Sequence, residues 1–452
     1  MRGLHGISPH PRLLILTAGW GLAAVAGAML SLAESESVRW LAASLEKMVL
    51  IGVTATVLLS VWDLFQIRRI GHISLQRHVP QTLSLSKWVE VELELRHELK
   101  RTAHIELFDH YPIGADIEHL PCRVELRPDR LSTICYRMRP NERGDATFGL
   151  TELRIPTPFK CWRYSRMCGS KTTVRVYPDF AAVTGYALLA IDNHTSLLGV
   201  KKRQRRGEGL EFHQLRDYRP GDSIRQVDWK ATARRQKLIS KEYQDERDQQ
   251  VFFMVDCGRR MRARDGHLSH FDHALNALLL LSYVALRQGD AVGLMSFGGE
   301  RRWLSPQKGK VTTNTILNTV YDLHPTTRAS DYSAAAQELL GRQRKRSLLV
   351  LLTNLREENV DDLIPALHTL GRHHLVMLAN LREKIVDHTL HKSVDSFDQA
   401  LRYAGAASYL DGRQRTHDRL RRQGVLVLDT VPGQLAVHAV NSYLEIKRSG
   451  YL

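Results

Sequence analysis

Leu13 to Leu32 reads LLILTAGWGLAAVAGAMLSL, 20 residues without a charge. As a helix rising 1.5 Å per residue, a run of that length crosses a hydrocarbon core of ~30 Å. A second apolar run, Met48 to Trp62 (MVLIGVTATVLLSVW), holds 15 residues and extends past Asp63 through Leu64 and Phe65. The short acidic stretch ESESVRW separates the two. A cleaved signal peptide ending at Ser31-Leu32-Ala33 is the rival reading, but its apolar core is usually ~7–15 residues and no second run follows at once. A buried helix of a soluble domain remains the alternative for the second run. Arg2 and Arg12 precede the pair, and Arg68 and Arg69 follow it. Basic outer ends predict that both termini lie on the inner side of the membrane, with two spans and cytoplasmic soluble domains.

At 452 residues the chain is too long for one core and suggests two to four domains. Hydrophobic residues are 43% and charged residues 25%, which excludes a wholly disordered chain. Five scattered cysteines do not form a disulfide framework and favour a reducing compartment. The formal net charge is +16, a balance that favours an anionic partner. Four segments are expected: 1–70, a membrane anchor with helices at about 13–32 and 48–65; 72–180, a β-rich sandwich-like domain; 181–249, a basic connector; and 250–452, an α/β domain.

From His72 to Asp179, short stretches such as WVEVELEL (Trp88 to Leu95) and TICYRM (Thr133 to Met138) alternate apolar and polar residues with period two. Turn signals separate them, which predicts antiparallel strands in a sandwich or small barrel. Cys161 and Cys168 lack partners at zinc-site spacing and read as ordinary thiols. From Gln250 the pattern becomes apolar strands (VFFMVD, AVGLMSF, SLLVLLT, HLVMLA, VLVLDT) alternating with helices. That predicts a doubly wound parallel sheet with ligands at the carboxyl ends of its strands.

Between these regions, Lys201 to Lys241 holds 13 Lys or Arg and 5 Asp or Glu, half of the net charge. The run Lys201 to Arg206 reads either as an anion-binding loop or as a solvated linker. A denser stretch follows: Glu211, Phe212, Leu215, Arg216, Tyr218, Pro220, Gly221, Asp222, Arg225, Asp228, Trp229, Ala233 and Arg234. Proline and glycine at 220 and 221 fit a tight turn. Arginine forks at 216, 219, 225 and 234 are suited to hold Glu211, Asp217, Asp222 and Asp228 and so tie the connector to a domain.

The pattern EF-x-x-LRDYRPGD-x-x-R-x-VDW-x-x-TAR resembles the motif of the bacterial family labelled domain of unknown function 58. ERGDATFGL (Glu142 to Leu150) and VYPDF (Val176 to Phe180) resemble its upstream segments, whereas TPFKCW (Thr157 to Trp162) departs from them. The resemblance implies two N-terminal spans, a β-rich region and a von Willebrand factor A-like domain, often beside a MoxR-type AAA+ ATPase. An A-type domain holds magnesium with an Asp and two Ser after its first strand, a Thr or Ser on a later loop and a further Asp. Here Asp256 is present, Gly258 and Arg260 stand where the serines would be, Ser330 or Asp331 is available on the later loop, and Asn354 follows SLLVLLT. The site is therefore expected to be degenerate, with no metal and no cofactor, and Arg260 or a protein contact in place of the ion. His373-His374 and His388-x-x-His391 read as core or solvated histidines, and GRQRTHDRLRRQG (Gly412 to Gly424) as an exposed basic face. No phosphate-cradling loop or nucleophile elbow occurs.

These readings converge on a non-enzymatic membrane-tethered scaffold that contacts other membrane or envelope proteins. The alternative is a module that binds lipid or nucleic acid through Lys201 to Arg206 and Arg413 to Arg422. The second is disfavoured for nucleic acid because much of the connector's charge is set among acids and aromatics.

Overall fold

In the computed structural model the described residues are 5–32, 36–67, 71–99, 102–128, 131–179, 211–219, 222–244, 249–356 and 360–450. Contacts divide the chain into two compact units, Met1–Val176 and Tyr177–Leu452.

The first unit opens with a strand that the sequence pattern did not suggest, β1 (His5–Pro9), followed by helices α1 (Pro11–Ser31) and α2 (Glu36–Gln66). Both helices are long and apolar enough to cross a membrane. The second begins well before Met48, because Trp40, Leu41, Ala42 and Leu45 continue the helix across Glu46 and Lys47. The two pack closely at Gly52, where a Cβ would lie 2.3 Å from the Trp20 ring. The Trp20 indole also donates to Thr56 Oγ1 at 3.1 Å.

Among the described residues, twelve strands make the β-rich part. One sheet runs β1, β11 (Trp162–Cys168), β10 (Thr151–Pro156), β5 (Ala103–Asp109), β7 (Cys122–Leu126). A second runs β2 (Ile73–His78), β4 (Val89–His97), β8 (Ser132–Arg139), β6 (Asp116–Glu118). A third runs β3 (Thr82–Ser84), β12 (Thr172–Tyr177), β9 (Gly144–Phe148). The alternation in the sequence is the burial pattern: Val91, Leu93 and Leu95 of β4 face inward, as do Ile134, Tyr136 and Met138 of β8. One ion pair is taken inside with them. Asp109 accepts from Arg77 Nη2 at 2.5 Å, Tyr136 OH at 2.6 Å and Thr151 Oγ1 at 2.8 Å, which supplies the partners a buried charge requires.

The hairpin is joined to the sheet at both outer ends. β1 pairs antiparallel with β11, from His5 against Arg166 to Pro9 against Trp162. At the end of α2, the buried Asp63 accepts from Thr157 Oγ1, from the Cys161 amide at 3.0 Å and from the Phe159 amide at 3.2 Å. The Trp162 indole donates to Ser60 O at 3.0 Å, and Trp62 packs on Phe159 with ring centroids 5.2 Å apart. TPFKCW is thus the turn that grips α2. Since the start of α1 and the end of α2 both meet one sheet, the two helices run out from it and back.

In the second unit, β13 (Glu211–Asp217) and β14 (Ile239–Gln244) form an antiparallel pair around the short helix α3 (Trp229–Arg235). The main sheet has the order β19 (Trp303–Gln307), β18 (Ala291–Phe297), β15 (Gln250–Asp256), β20 (Leu348–Thr353), β21 (Leu375–Leu381), β22 (Leu426–Thr430). All neighbours are parallel except β19, which is antiparallel to β18. A two-residue ladder, β16 (Arg264–Asp265) with β17 (Leu268–Ser269), precedes α4 (His270–Arg287). Ser269 caps that helix in a reciprocal box with Asp272. The other helices are α5 (Val311–Val320), α6 (Tyr332–Arg342), α7 (Val360–Gly371), α8 (Lys384–His391), α9 (Phe397–Arg422) and α10 (Leu435–Ser449).

Alternate residues of the central strands feed two cores. Val251, Phe253 and Val255 pack with α4, α5 and α10, while Phe252 and Met254 pack with α6 and α7. Burial on both faces explains why VFFMVD is apolar without alternation.

Candidate functional site

In strand-succession numbers the sheet order is 3-2-1-4-5-6, so the order reverses between β15 and β20, and open α/β sheets bind ligands outside the carboxyl ends at such a point. Asp256 ends β15 there, 2% exposed. Its Oδ1 accepts from the Gly258 amide at 2.7 Å and from Ser330 Oγ. Its Oδ2 accepts from Thr353 Oγ1 at 2.6 Å and Tyr332 OH at 3.2 Å. Tyr332 and Thr353 also share a hydrogen bond of 3.0 Å. Tyr332 and Thr353 have one proton each for these three contacts, so two of the three are made at a time; in every arrangement a hydroxyl donates to Oδ2 while Ser330 and the Gly258 amide hold Oδ1.

Gly258 makes this closure possible. Its φ of −77° suits any residue, but a Cβ there would lie 2.0 Å from Ser330 Oγ. The hydroxyl sits where a side chain at 258 would be. Of the two later-loop candidates, Ser330 reaches the carboxylate, and Asp331 instead caps α6 by accepting from the Ala334 amide at 2.8 Å. Arg260 is half-buried in the turn Arg259–Arg262. Asn354, fully buried, turns its amide to His270 Nδ1 and to Glu383 Oε1, each at 3.1 Å. This donor set, with one carboxylate already bonded through both oxygens, does not fit a hard divalent cation.

A second cluster, which the sequence reading missed, lies along the ends of β20, β21 and β22. Glu383 accepts from Asn354, from Arg356 Nη2 at 2.9 Å and from Tyr409 OH at 3.1 Å. Burial opposes its charge, but Asn354, its own backbone amide and Arg356 outweigh it and hold the carboxyl at about 2. Arg413 donates to Asp429 Oδ1 at 2.7 Å, Leu381 O at 2.7 Å and Leu355 O at 2.9 Å. His417 meets Asn380 at 3.0 Å, and burial, reinforced by Arg413 and Arg421, brings its imidazole down to about 4. His270, also buried, bonds Asp265 at 3.1 Å. A cavity of ≈ 20 Å³ bounded by Arg356, Tyr409, Arg413 and His417 has room for one water.

This cluster corrects one expectation. Gly412 to Gly424 is not an exposed basic face throughout: Arg413, Thr416, His417 and Leu420 are buried against the sheet, and Arg415, Arg419, Arg421 and Arg422 face outward. Fixed spacing could not separate Arg413 from its neighbours, because only the fold brings Asp429 and two strand-end carbonyls to it. Lys201 to Arg206 lies outside the described residues. His374 is a core histidine bonded to Ser347 at 3.1 Å, whereas His388 and His391 are exposed on α8.

The connector motif folds on itself. Leu215, Arg216 and Asp217 of β13 pair with Lys241, Ser240 and Ile239 of β14, and Glu211 and Phe212 with Gln244 and Tyr243. Arg216 grips Asp222 through two bonds of 2.8 Å, and Tyr218 OH donates to Asp222 O at 3.0 Å. The arginine contact comes first among the causes that hold the Asp222 carboxyl below its usual range. Asp228 caps α3 by accepting from the Lys230 and Ala231 amides at 3.0 Å. Arg225 lies in the turn Ile224–Gln226, and Ala233 and Arg234 in α3. Pro220 and Gly221 lie outside the described residues. The bonds described here brace the hairpin itself rather than tie it to another domain. They leave Trp229 64% exposed.

Residues 214–390 match the family described as "Protein of unknown function DUF58". The match begins within β13, at residue 214, and ends in α8, so it takes in most of the hairpin and the Asp256 site. Over 146 residues the chain is 27% identical to the uncharacterized protein YeaD of Bacillus subtilis, covering 32% of this chain and 34% of that one. Over 151 residues it is 23% identical to the uncharacterized protein Rv1480 of Mycobacterium tuberculosis, covering 33% and 48%. The matched segment thus spans between a third and a half of these curated relatives. Among solved structures, the CARDB domain of a Pyrococcus furiosus protein aligns over 24% of this chain and 89% of its own at 9% identity, TM-score 0.17. A fragment of Escherichia coli alpha-2-macroglobulin aligns over 83% and 55% at 9% identity, TM-score 0.21. Scores of this size leave the fold to be argued from strand order.

Proposed function

We propose that this chain is a non-enzymatic scaffold anchored in the bacterial inner membrane by its two N-terminal helices, with both soluble regions cytoplasmic. In this reading its sheet is a von Willebrand factor A-like domain with a degenerate adhesion site, and it works with a MoxR-type AAA+ ATPase in assembly or maturation of protein complexes. The 3-2-1-4-5-6 order with an antiparallel outer strand supports the A-like reading. The carrying observation is the Asp256 carboxylate, bonded on both oxygens by Gly258, Ser330, Tyr332 and Thr353. A carboxylate held that way is a structural acceptor rather than a base or a ligand.

Arg12 in the first turn of α1 supports the orientation, and the exposed Trp229 on a braced hairpin supports docking, since tryptophan is enriched among residues that dominate interfaces. Two measurements test the proposal. Calorimetric titration of the detergent-solubilised chain with magnesium should give no binding heat, and micromolar affinity would refute the degenerate-site reading. Co-purification with a co-expressed MoxR-type ATPase should fall about tenfold on Trp229→Ala; an ATPase never retained by the wild type sinks the partnership.

A further inference from the structure

Helix α9 is 26 residues long, and its two halves differ. The C-terminal half is seated on the sheet through Gly412, Arg413, Thr416, His417 and Leu420. The N-terminal half carries Phe397, 86% exposed, and Leu401, 64% exposed, with Ala404 and Ser408 exposed at the following helical positions. Spacings of four, three and four place all of them on one stripe. Ile385 of α8 and Val394 beside the helix start are exposed as well. Two large apolar side chains one turn apart, Phe397 and Leu401, followed along the same stripe by the small Ala404 and Ser408, leave room for a second helix to pack closely.

We infer that this stripe docks on a second copy of the same chain, the two α9 helices crossing antiparallel about a two-fold axis near Leu401. A two-fold interface must be self-complementary, and the charges beside the stripe are. Asp398 and Arg402 lie one turn apart on one flank, 69% and 72% exposed at their side chains and paired with each other at 2.8 Å. In an antiparallel pair each flank faces its own counterpart. Asp398 therefore comes opposite Arg402 of the second copy, and Arg402 opposite its Asp398. With the axis between Ala400 and Leu401, Phe397 falls over the small Ala404, the two Leu401 side chains lie within about 1 Å of the axis, and Asp398 and Arg402 of the second copy are offset by only about 1.5 Å along the helices. An anionic lipid surface fits less well, because Asp395 and Asp398 stand beside the apolar residues. The inference does not depend on the Asp256 site or on Trp229.

The test is sedimentation velocity of the full chain in density-matched detergent, up to about 50 µM, in the range where small interfaces associate. The wild type should dimerise. Phe397→Ser with Leu401→Ser should weaken the dimer by about tenfold or more. Asp398→Arg alone and Arg402→Asp alone should each weaken it, and the two together should bring it back to within about twofold. Because all four side chains are exposed, none is needed for folding. A wild type that stays monomeric overturns the inference. So does a dimer indifferent to the apolar double variant, which would place the contact elsewhere. Single charge reversals without effect, or a double reversal that fails to rescue, overturn the antiparallel register.

Discussion

Gly258→Ala tests whether the Asp256 site is closed by its own hydroxyls. The new Cβ would lie 2.0 Å from Ser330 Oγ, 3.0 Å from Asp256 Oδ1 and 3.3 Å from Arg328 O. Ordinary contact begins at 3.4 Å, so Ser330 Oγ must retreat by about 1.4 Å (3.4 less 2.0), which breaks its bond to Asp256. A hydrogen bond to a charged group contributes about 1.5–3 kcal/mol, and overpacking adds roughly 1–3 kcal/mol. The expected cost is about 3–5 kcal/mol. Ser330→Ala alone should cost only the bond, about 1.5–3 kcal/mol. The double variant loses the 2.0 Å clash and keeps only the contacts at 3.0 and 3.3 Å, so it should resemble Ser330→Ala, with a favourable coupling of about 3–5 kcal/mol, the whole cost of Gly258→Ala. The assay is hydrogen exchange of β15 and β20 amides in the full chain in detergent, since these central strands exchange only through unfolding of the sheet. If Gly258→Ala lies within about 0.5 kcal/mol of wild type, or if the two costs simply add, the closed-site account is wrong.

Arg413→Met should cost roughly 3–5 kcal/mol by the same exchange assay, because it leaves two buried carbonyls without their donor and Asp429 with only the longer ion pair to Arg382 at 3.8 Å. Arg413→Lys should rescue little, since one ammonium cannot reproduce the fork. Acid should weaken the second unit in two stages. His417, held at about 4 against an ordinary 6.5, favours the neutral ring, so stability falls from pH 6.5 towards 4, by about 3 kcal/mol in all. Glu383, held at about 2 against 4.5, contributes fully above its unfolded value and is lost as pH drops towards 2. His417→Gln should flatten the first stage in a pH series of unfolding curves, and an unchanged slope there would refute the assignment. Asp63→Ala should loosen the turn at the end of α2, so that Cys161, buried in the wild type, reacts with maleimide about tenfold or more faster. Equal rates would show that the joint does not depend on Asp63.

The chain's local patterns carried the architecture. Two long apolar runs, a period-two middle and unbroken apolar strands between helices are each fixed by where side chains must go, toward lipid, toward one sheet face or toward both. They determined the helix pair, the sandwich strands and the parallel sheet, and the acid that ends the first strand of that sheet, Asp256, stood out at its carboxyl end. Tertiary structure decided what no spacing encodes. It set Ser330 rather than Asp331 on Asp256, turned Asn354 towards His270 and Glu383, and buried Arg413 in a helix that reads as basic throughout. It also added β1 to the sheet and fixed Asp63 on the turn that holds Thr157 and Cys161. Those groups come from residues 74 to 98 positions apart in the chain at Ser330–Asp256 and Cys161–Asp63. A polar contact at that separation follows from which strand ends the fold brings together. Local periodicity reports only which way a residue faces.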